Sequence, residues 1–245
     1  MLDLFVDFCY NLSGDDMKYK NITEGVFHSR PNRFTAKVYV DGTLQTVHVK
    51  NTGRCKELLR EGATVFLEKS DNPNRKTLYD LVAVVKPSTG AHVNMDSQAP
   101  NAMVAEWLPK SGLFSADSVF RAEVKHGTSR FDFQAVCGDK ITYIEVKGVT
   151  LEREGVAYFP DAPTERGVKH LKELAECARQ GIGAMVIFVI QMKGVSLFRP
   201  NRETHPAFAD ALSEAEKAGV RIIAVDCRTS KGVAEIDSFV KTEIF

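Results

Sequence analysis

The sequence contains no apolar run that approaches the roughly 20 residues needed to cross a bilayer. Its five cysteines are scattered (Cys9, Cys55, Cys137, Cys177 and Cys227), with no CxxC pair and no zinc-type Cys/His spacing. An odd, dispersed set is typical of reduced thiols in a cytoplasm rather than of a disulfide framework. We therefore expect a cytoplasmic protein with no membrane partner.

The chain also lacks net charge, since 32 Lys and Arg balance 32 Asp and Glu. The charges are unevenly distributed: residues 17–87 hold 13 basic and 7 acidic side chains, whereas residues 88–245 hold 19 and 21. A positive field confined to one segment is how a phosphate-binding surface would be arranged. A solvated lysine-rich face would give the same count, so charge alone leaves both interpretations open.

Residues 1–16, MLDLFVDFCYNLSGDD, carry four acids and no base. A secretory signal needs a basic start and a longer apolar stretch, so export is not predicted. Met17 opens a more conventional start, and we interpret residues 1–16 as an N-terminal extension that is dispensable or an over-called start. Mass spectrometry that finds an intact Met1 in every native molecule would contradict this hypothesis.

The pattern of residues 17–87 predicts a small β-barrel. RFTAKVYV and LQTVHVK flank Asp41-Gly42, which is a strong hairpin signal. NTGRCKELLREG is predicted as a short helical turn that ends at Gly62. A basic segment of four or five strands with interspersed aromatic residues favours a barrel of the oligonucleotide-binding (OB) type, although an SH3-like barrel would give a similar pattern.

Residues 88–245 predict a second domain, with residues 87–100 as the linker. Its predicted elements are a helix over 101–108, strands VFRAEVK, RFDFQAV and ITYIEVKGV, a helix over 164–179, a strand AMVIFVIQ, a helix over 206–218 and a strand RIIAVDC. This order predicts an α/β (α+β) domain built on a mixed sheet.

Hairpin register brings acidic residues together in this domain. With Gly138-Asp139 as a two-residue loop, Asp132 faces Glu145 and Arg130 faces Lys147. With residues 126–129 as the preceding loop, Glu123 faces Asp132. The three acids would then lie side by side, about 5 Å apart, while the neighbouring Val124, Phe131, Phe133, Ile144 and Val146 point to the opposite face.

Like charges that face each other destabilise a sheet, so a divalent cation or raised pKa values must offset them. Carboxylates without His or Cys suit Mg²⁺ or Mn²⁺, with Glu123, Asp132 and Glu145 as ligands. Lys147 could orient an attacking water or stabilise charge on a phosphorus-bound oxygen. The alternative is an ordinary solvated sheet face on which acids alternate with bases.

The segment FPDAPTERGVKHLKEL adds basic groups near this site. Thr164 is a plausible N-cap, and Arg166 and His170 lie one turn apart on one helix face, where they could hold a phosphate. Helix capping with solvated charges explains the pattern equally well. Asp161 could contribute to the acidic site or simply form a loop, and Gln191 could reach the site or only end a strand.

Several long stretches resemble the sugar fermentation stimulation protein family (SfsA): RPNRFTAKVYVDG, HVKNTGR, DNPNRKTLYDL, EVKHGTSRFDF, YIEVKGVTL, FPDAPTERGVKHLKEL and FVIQ. The resemblance implies an OB-type barrel followed by a PD-(D/E)XK nuclease-like domain. It also implies non-specific DNA binding and a part in regulating sugar use, notably maltose. In NTGRC the chain departs from the hydroxyl-bearing or methionine pair that family members often have after the glycine.

The nuclease signature of the family falls on Asp132, Glu145 and Lys147, with Glu106 or Glu123 as supporting acids. Its basic stretches fall on Arg33, Lys37, Arg54, Arg75 and Lys76, and we add Arg130, Arg166 and His170 as candidate DNA-binding residues.

Three functions follow from these observations. The first is a sequence-independent DNA-binding regulator, because no helix-turn-helix or other base-reading module stands out. Such a protein could associate with the nucleoid. The second is an active Mg²⁺- or Mn²⁺-dependent DNA nuclease. The third is an interaction protein whose nuclease-like fold has lost activity. The sequence leaves the oligomeric state open.

Overall fold

A computed structural model describes residues 17–51 and 53–245. The predicted N-terminal extension, residues 1–16, and with it Cys9, lie outside the described residues. The other four cysteines are free thiols, as predicted. Within the described part of the chain, no helix is long and apolar enough to span a membrane.

Five strands close the N-terminal barrel and a sixth extends its sheet. The strands are β1 (Ile22–Asn32), β2 (Thr35–Val40), β3 (Thr43–Val49), β4 (Thr64–Lys69), β5 (Tyr79–Val85) and β6 (His92–Asn94). Their order is β3-β2-β1-β4-β5-β6, and parallel pairing of β3 with β5 closes the barrel. The predicted hairpin is present, with Asp41 and Gly42 at φ 48° and 75° in its turn. The closed barrel confirms the predicted architecture.

The segment before Gly62 forms a short helical turn, as predicted: the Leu59 N–H donates to the Cys55 carbonyl, four residues earlier, at 2.9 Å. Leu58 is fully buried there and packs into the barrel core. One detail of the barrel differs from the prediction. The predicted linker contains β6, whose fully buried Val93 pairs with Val84. A three-residue strand between turn-forming residues gives no periodic signal.

The second domain has three helices, α1 (Ala99–Trp107), α2 (Glu165–Arg179) and α3 (Pro206–Lys217). Its strands are β7 (Val119–His126), β8 (Ser129–Cys137), β9 (Lys140–Val149), β10 (Leu151–Arg153), β11 (Val156–Phe159), β12 (Gly183–Ile190), β13 (Leu197–Pro200), β14 (Arg221–Ser230) and β15 (Val233–Thr242). They form one mixed sheet of order β10-β11-β13-β15-β14-β12-β9-β8-β7, in which β9, β12 and β14 run parallel.

The sequence predicted the helices and strands β7, β8, β9, β12 and β14 of this sheet but not β10, β11, β13 and β15. Three of these are only three or four residues long. The fourth, β15, carries several partly exposed polar side chains along its length. Short or polar strands are held by pairing with neighbours that are distant in sequence, and such pairing leaves little local pattern.

Helices cover both faces of the sheet. Leu171 and Leu174 of α2 belong to one core cluster, which continues under α3 and into the barrel. Met103 and Val104 of α1 belong to a separate cluster on the other face. The Thr164 hydroxyl caps α2 by accepting the Gly167 N–H at 3.1 Å, as predicted. The sheet therefore presents residues of β9 alternately to α2 and to α1.

The β7-β8-β9 meander has the predicted register wherever its strands pair, but the β8-β9 ladder ends at Phe133–Ile144, so the predicted pairs Asp132–Glu145 and Arg130–Lys147 are not formed. Phe133 pairs with Ile144 and Lys125 pairs with Arg130. The first loop is shorter than predicted, because His126 still pairs with Ser129 and only two residues turn the chain.

The register of the first hairpin is interrupted at one point. Pairing passes from Ala122–Phe133 to Val124–Phe131 and omits Glu123, whose φ is 57°, and Asp132. Phe131 consequently joins the core under α2, whereas Phe133 joins the core under α1. The prediction that all five apolar neighbours share one face was wrong, because it assumed a regular strand through this point.

Candidate functional site

Asp132 occupies the irregular position of β8, where its carboxylate is held from two sides. The Val146 N–H of β9 donates to Oδ2 at 2.7 Å, and the Asn101 side-chain amide of α1 donates to Oδ1 at 2.9 Å. The hydrogen bond from the Val146 N–H therefore links β9 to β8 just beyond Phe133–Ile144, the last regular pair of their ladder. Helix α1 and the central strand together fix its position.

Glu145 lies on the α2 side of β9 and is only 2% exposed. His170 of α2 donates through Nδ1 to Oε1 at 2.5 Å, and the Lys147 ammonium also donates to Oε1. The second oxygen, Oε2, is buried and accepts no hydrogen bond from any described residue. A buried carboxylate oxygen normally has a donor or a cation beside it, so this oxygen is available to a ligand.

The two carboxylates have opposite pKa shifts. Burial, reinforced by the nearby charge of Glu145, raises the pKa of Asp132 above the usual value for an aspartate. Burial also acts to raise the pKa of Glu145, but the His170 hydrogen bond and the Lys147 charge outweigh it and lower that pKa. Glu145 is therefore held as an anion. Ionisation of Asp132 is disfavoured because it places a second negative charge in the same site.

His170 belongs to the carboxylate site and also lines the basic groove beside it, together with Arg130 and Arg166. It is 4% exposed, and its Nε2 accepts a hydrogen bond from the Arg166 Nε at 3.4 Å. His170 thus orients Glu145 through Nδ1, and its Nε2 could donate to a phosphate only in place of the Arg166 contact.

Glu123 does not join the other two acids. Its carboxylate pairs with the Arg130 guanidinium at 2.8 Å, and both side chains are at least half exposed. In residues 17–51 and 53–245, no group of three or more His, Cys, Asp or Glu side chains is arranged to hold a metal ion. The predicted row of three acids is thus reduced to two, because the left-handed backbone at Glu123 redirects its side chain.

Glu106 and Asp161 have other partners. The Glu106 carboxylate accepts the Met17 N–H at 3.0 Å. The Asp161 Oδ2 accepts the Arg54 N–H at 2.8 Å, which ties a barrel loop to the second domain. Gln191 donates to the Asn94 side chain at 2.7 Å and so also joins the two domains.

The predicted basic residues of the barrel fall into two groups. Arg75 makes two hydrogen bonds to Asp80, at 2.6 and 2.8 Å, so its charge is paired within the barrel domain. Arg33, Arg54 and Lys76 are exposed. Lys37 is partly exposed and donates to the Thr46 hydroxyl at 2.7 Å, so its charge is unpaired in that contact. Arg75 thus has its charge paired with Asp80, whereas Arg33, Lys37, Arg54 and Lys76 present theirs to solvent as candidate DNA contacts.

A second basic surface lies beside His170. Arg130, Arg166 and Lys169 are exposed and line an open groove of about 500 Å³ together with Ser129 and Glu165. The structure thus brings Arg130 and Arg166 together next to the residue that binds Glu145.

Two residues that the sequence did not single out organise these surfaces. Asn101 is the helix residue that binds Asp132. Arg30 donates to the carbonyls of Arg33, Asn51, Gly53 and Arg54 and so holds the loop that presents the exposed arginines. Neither has a local signal, because each acts on residues brought near only by folding.

The described residues thus form a two-domain protein, a closed barrel joined to a mixed-sheet domain with a buried carboxylate pair. Two family models match it: "SfsA N-terminal OB domain" over residues 29–95 and "Sugar fermentation stimulation protein RE domain" over residues 98–232. The chain therefore belongs to the sugar fermentation stimulation protein (SfsA) family, and its barrel is of the OB type.

Individual relatives agree with this assignment. Sugar fermentation stimulation protein homologs from Ruminiclostridium cellulolyticum and Clostridium beijerinckii are each 53% identical to the chain. They cover 93% and 91% of it and 100% and 98% of their own lengths. Among solved structures, Pyrococcus furiosus SfsA in complex with Ca²⁺ has a TM-score of 0.84 and 27% identity, over 93% of this chain and 98% of that one.

Proposed function

We propose that this protein binds DNA without sequence preference and presents a phosphodiester to a divalent-cation site formed by Asp132 and Glu145. The observation that carries the proposal is the buried Glu145 carboxylate, which has one oxygen fixed by His170 and Lys147 and the other without a hydrogen-bond partner. A part in the regulation of sugar use belongs to the same proposal, and the relatives' name, sugar fermentation stimulation protein homolog, supports it.

The residues present fit a hard divalent cation. Both carboxylates are oxygen donors, one is held as an anion, and the raised pKa of Asp132 is the response expected when no cation offsets the pair. The related Pyrococcus furiosus SfsA was solved in complex with Ca²⁺, which supports this choice. Mg²⁺ or Mn²⁺ would supply Lewis-acid activation of the phosphoryl group when bound.

The remaining groups have roles that the contacts define. His170 and Lys147 hold Glu145 Oε1, which leaves Oε2 for the cation. Lys147 is also the ammonium nearest the carboxylates, where it can orient a water or stabilise negative charge on a phosphoryl oxygen. Asn101 and the Val146 N–H keep Asp132 in place. The site can therefore assemble a phosphodiester, a water and a cation around fixed groups.

DNA binding is supported by the exposed basic residues of both domains. Arg33, Lys37, Arg54 and Lys76 lie on the barrel, and Arg130 and Arg166 lie beside the carboxylate site. Such contacts read phosphates rather than bases, so we expect affinity to fall steeply with salt. Equal DNA retention at low and high salt would contradict a phosphate-driven interface.

Calorimetric titration with Mg²⁺, Mn²⁺ and Ca²⁺ tests the cation site directly. We expect binding to the wild type and none to Asp132→Ala or Glu145→Gln. Glu123→Gln is the matched control, because it also removes an acid from the meander but one that pairs with Arg130 at the surface. Binding that survives in Asp132→Ala, or is lost in Glu123→Gln, would overturn the assignment.

The second candidate function is cleavage, and the placement of Lys147 on the buried Glu145 favours it. Labelled linear and circular DNA incubated with Mg²⁺ or Mn²⁺ should be degraded by the wild type but not by Asp132→Ala or Lys147→Ala. Activity that survives Asp132→Ala would come from a contaminant. Cation binding without cleavage of any substrate would leave a DNA-binding regulator.

A further inference from the structure

The outer face of the barrel carries large apolar side chains that the core does not use. Val26, Tyr39 and Leu44 form a continuous row across β1, β2 and β3, because Tyr39 pairs with both of the others. Their exposed fractions are 46%, 41% and 45%, and Phe34, in the turn between β1 and β2, is 51% exposed. The His28 ring lies 5.6 Å from the Tyr39 ring and extends this surface.

Positive charge accompanies these side chains. Lys37 lies two residues from Tyr39 in the same strand and therefore on the same face. The Arg33 guanidinium lies 5.2 Å from the centre of the Phe34 ring. Rings interleaved with Lys and Arg provide stacking platforms and phosphate contacts together, which is the combination that unpaired nucleic acid requires.

This surface leads into a cleft between the two domains. The cleft, of about 340 Å³, is lined from the barrel side by Arg33 and Asn51 and from the other domain by Gly148, Thr150 and Tyr158. Gly148 directly follows Lys147 in β9. Arg33 therefore borders both the aromatic surface and the cleft, and the cleft reaches the strand that carries the carboxylate site.

Close packing around two glycines bounds this cleft. A Cβ on Gly53 would lie 2.3 Å from the Asp161 carboxylate, and one on Gly148 would lie 2.6 Å from the Gln191 side chain. The barrel loop and the second domain thus touch at Gly53 and Asp161, whereas Gly148 packs against Gln191 within the second domain.

We propose that the DNA bound by this protein is unpaired: a single strand lies on the outer barrel face with bases stacked on Tyr39 and Phe34, passes Arg33 and enters the interdomain cleft toward Lys147. A duplex keeps its base faces stacked on each other and cannot use these rings. The inference rests on the proposed DNA binding and specifies the form of the substrate.

Fluorescence anisotropy with a labelled oligothymidine and with a duplex of equal length tests the proposal, in chelator so that neither cation binding nor cleavage contributes. Tyr39→Ala and Phe34→Ala should each weaken single-strand binding about 5- to 150-fold, the range for loss of one stacked base, and leave duplex affinity unchanged. Tyr39→Phe should retain wild-type affinity, because it keeps the ring. Phe245→Ala, which removes a 94% exposed ring elsewhere, is the matched control.

Salt dependence separates stacking from charge. Tyr39→Ala should leave the slope of log affinity against log salt unchanged, whereas Lys37→Gln should reduce it by about 0.7 for a single strand. Ala162→Trp, which adds an indole to the cleft lining, should weaken single-strand binding without affecting the duplex. Wild-type affinity in that variant would remove the cleft from the path.

The outcomes distinguish this inference from the proposed function. Equal losses for single strand and duplex, or no loss in either ring variant, would overturn the inference while DNA binding stands. No DNA binding by the wild type would overturn both. If Tyr39→Ala instead dissociated a dimer and left DNA affinity unchanged, the face would be a self-association surface and the inference would be wrong.

Discussion

Replacing Asp132 by asparagine is expected to stabilise the cation-free protein and to abolish its response to divalent cations. The substitution keeps the shape of the side chain. Its carbonyl can still accept the Val146 N–H, and the Asn101 amide can rotate to offer its oxygen to the new amide group. The change therefore removes one negative charge next to Glu145 with little loss of packing.

The magnitude follows from two opposing terms. Two hydrogen bonds to a charged acceptor become bonds to a neutral one, which costs about 1 kcal/mol each or less. Removing an uncompensated, largely buried charge gains several kcal/mol. We expect a net gain of about 1 kcal/mol, which raises the melting temperature of a chain of this size by about 2–4 °C.

A bound divalent cation should make the wild type more stable than Asp132→Asn, the reverse of their order without cation. At 100 times its dissociation constant, a ligand that binds only the folded state adds about 2.7 kcal/mol. The wild type should gain that amount and the variant none. The assay is thermal unfolding followed by near-ultraviolet circular dichroism, in chelator and in excess Ca²⁺. The variant should melt above the wild type in chelator and below it in Ca²⁺.

The pH dependence gives an independent check on the same charge. The folded-state pKa of Asp132 is raised, so in the wild type this group favours the folded state while protonated and disfavours it as pH rises past the ordinary aspartate value of about 3.9. The advantage of Asp132→Asn in chelator should thus be absent at low pH and grow toward neutrality. A variant that is less stable in chelator, or that responds to Ca²⁺ like the wild type, would refute the reasoning. Glu123→Gln should change neither measurement.

Three further predictions concern other ion pairs. Lys147→Met should lower DNA cleavage by about 100-fold or more and leave DNA affinity unchanged, as measured by single-turnover cleavage and anisotropy. Arg75→Gln should cost about 1–3 kcal/mol of unfolding free energy in urea at neutral pH, because it removes the hydrogen bonds that, against the effect of burial, lower the pKa of Asp80. This cost should disappear as pH falls through that lowered pKa. Arg75→Gln should leave the salt dependence of DNA binding unchanged, and a changed salt dependence would contradict the pairing of Arg75 with Asp80 alone. Lys86→Met should cost about 3–5 kcal/mol, because the Lys86 ammonium contacts both the carboxylate and the carbonyl of Glu152 across the domain boundary; urea unfolding that matches the wild type would refute this.

The sequence alone determined those features that depend on neighbours along the chain. The turns at Asp41-Gly42 and Gly138-Asp139 fixed two hairpins, and with them the pairing that brings β8 against β9. The Thr164 cap and the apolar periodicity that follows it fixed α2. In each case a short-range steric or hydrogen-bonding preference suffices, because the interacting residues are only a few positions apart.

Tertiary structure decided the composition of the candidate site. The left-handed backbone at Glu123 turned that acid to the surface and interrupted the ladder beside Asp132. Helix α2 brought His170 to Glu145, and α1 brought Asn101 to Asp132. The Arg75 guanidinium was placed in hydrogen bonds to Asp80 rather than at a ligand-binding surface. These contacts depend on which charged group meets which partner once the layers have packed, and electrostatic pairing between elements distant in sequence has no local period by which it could be predicted.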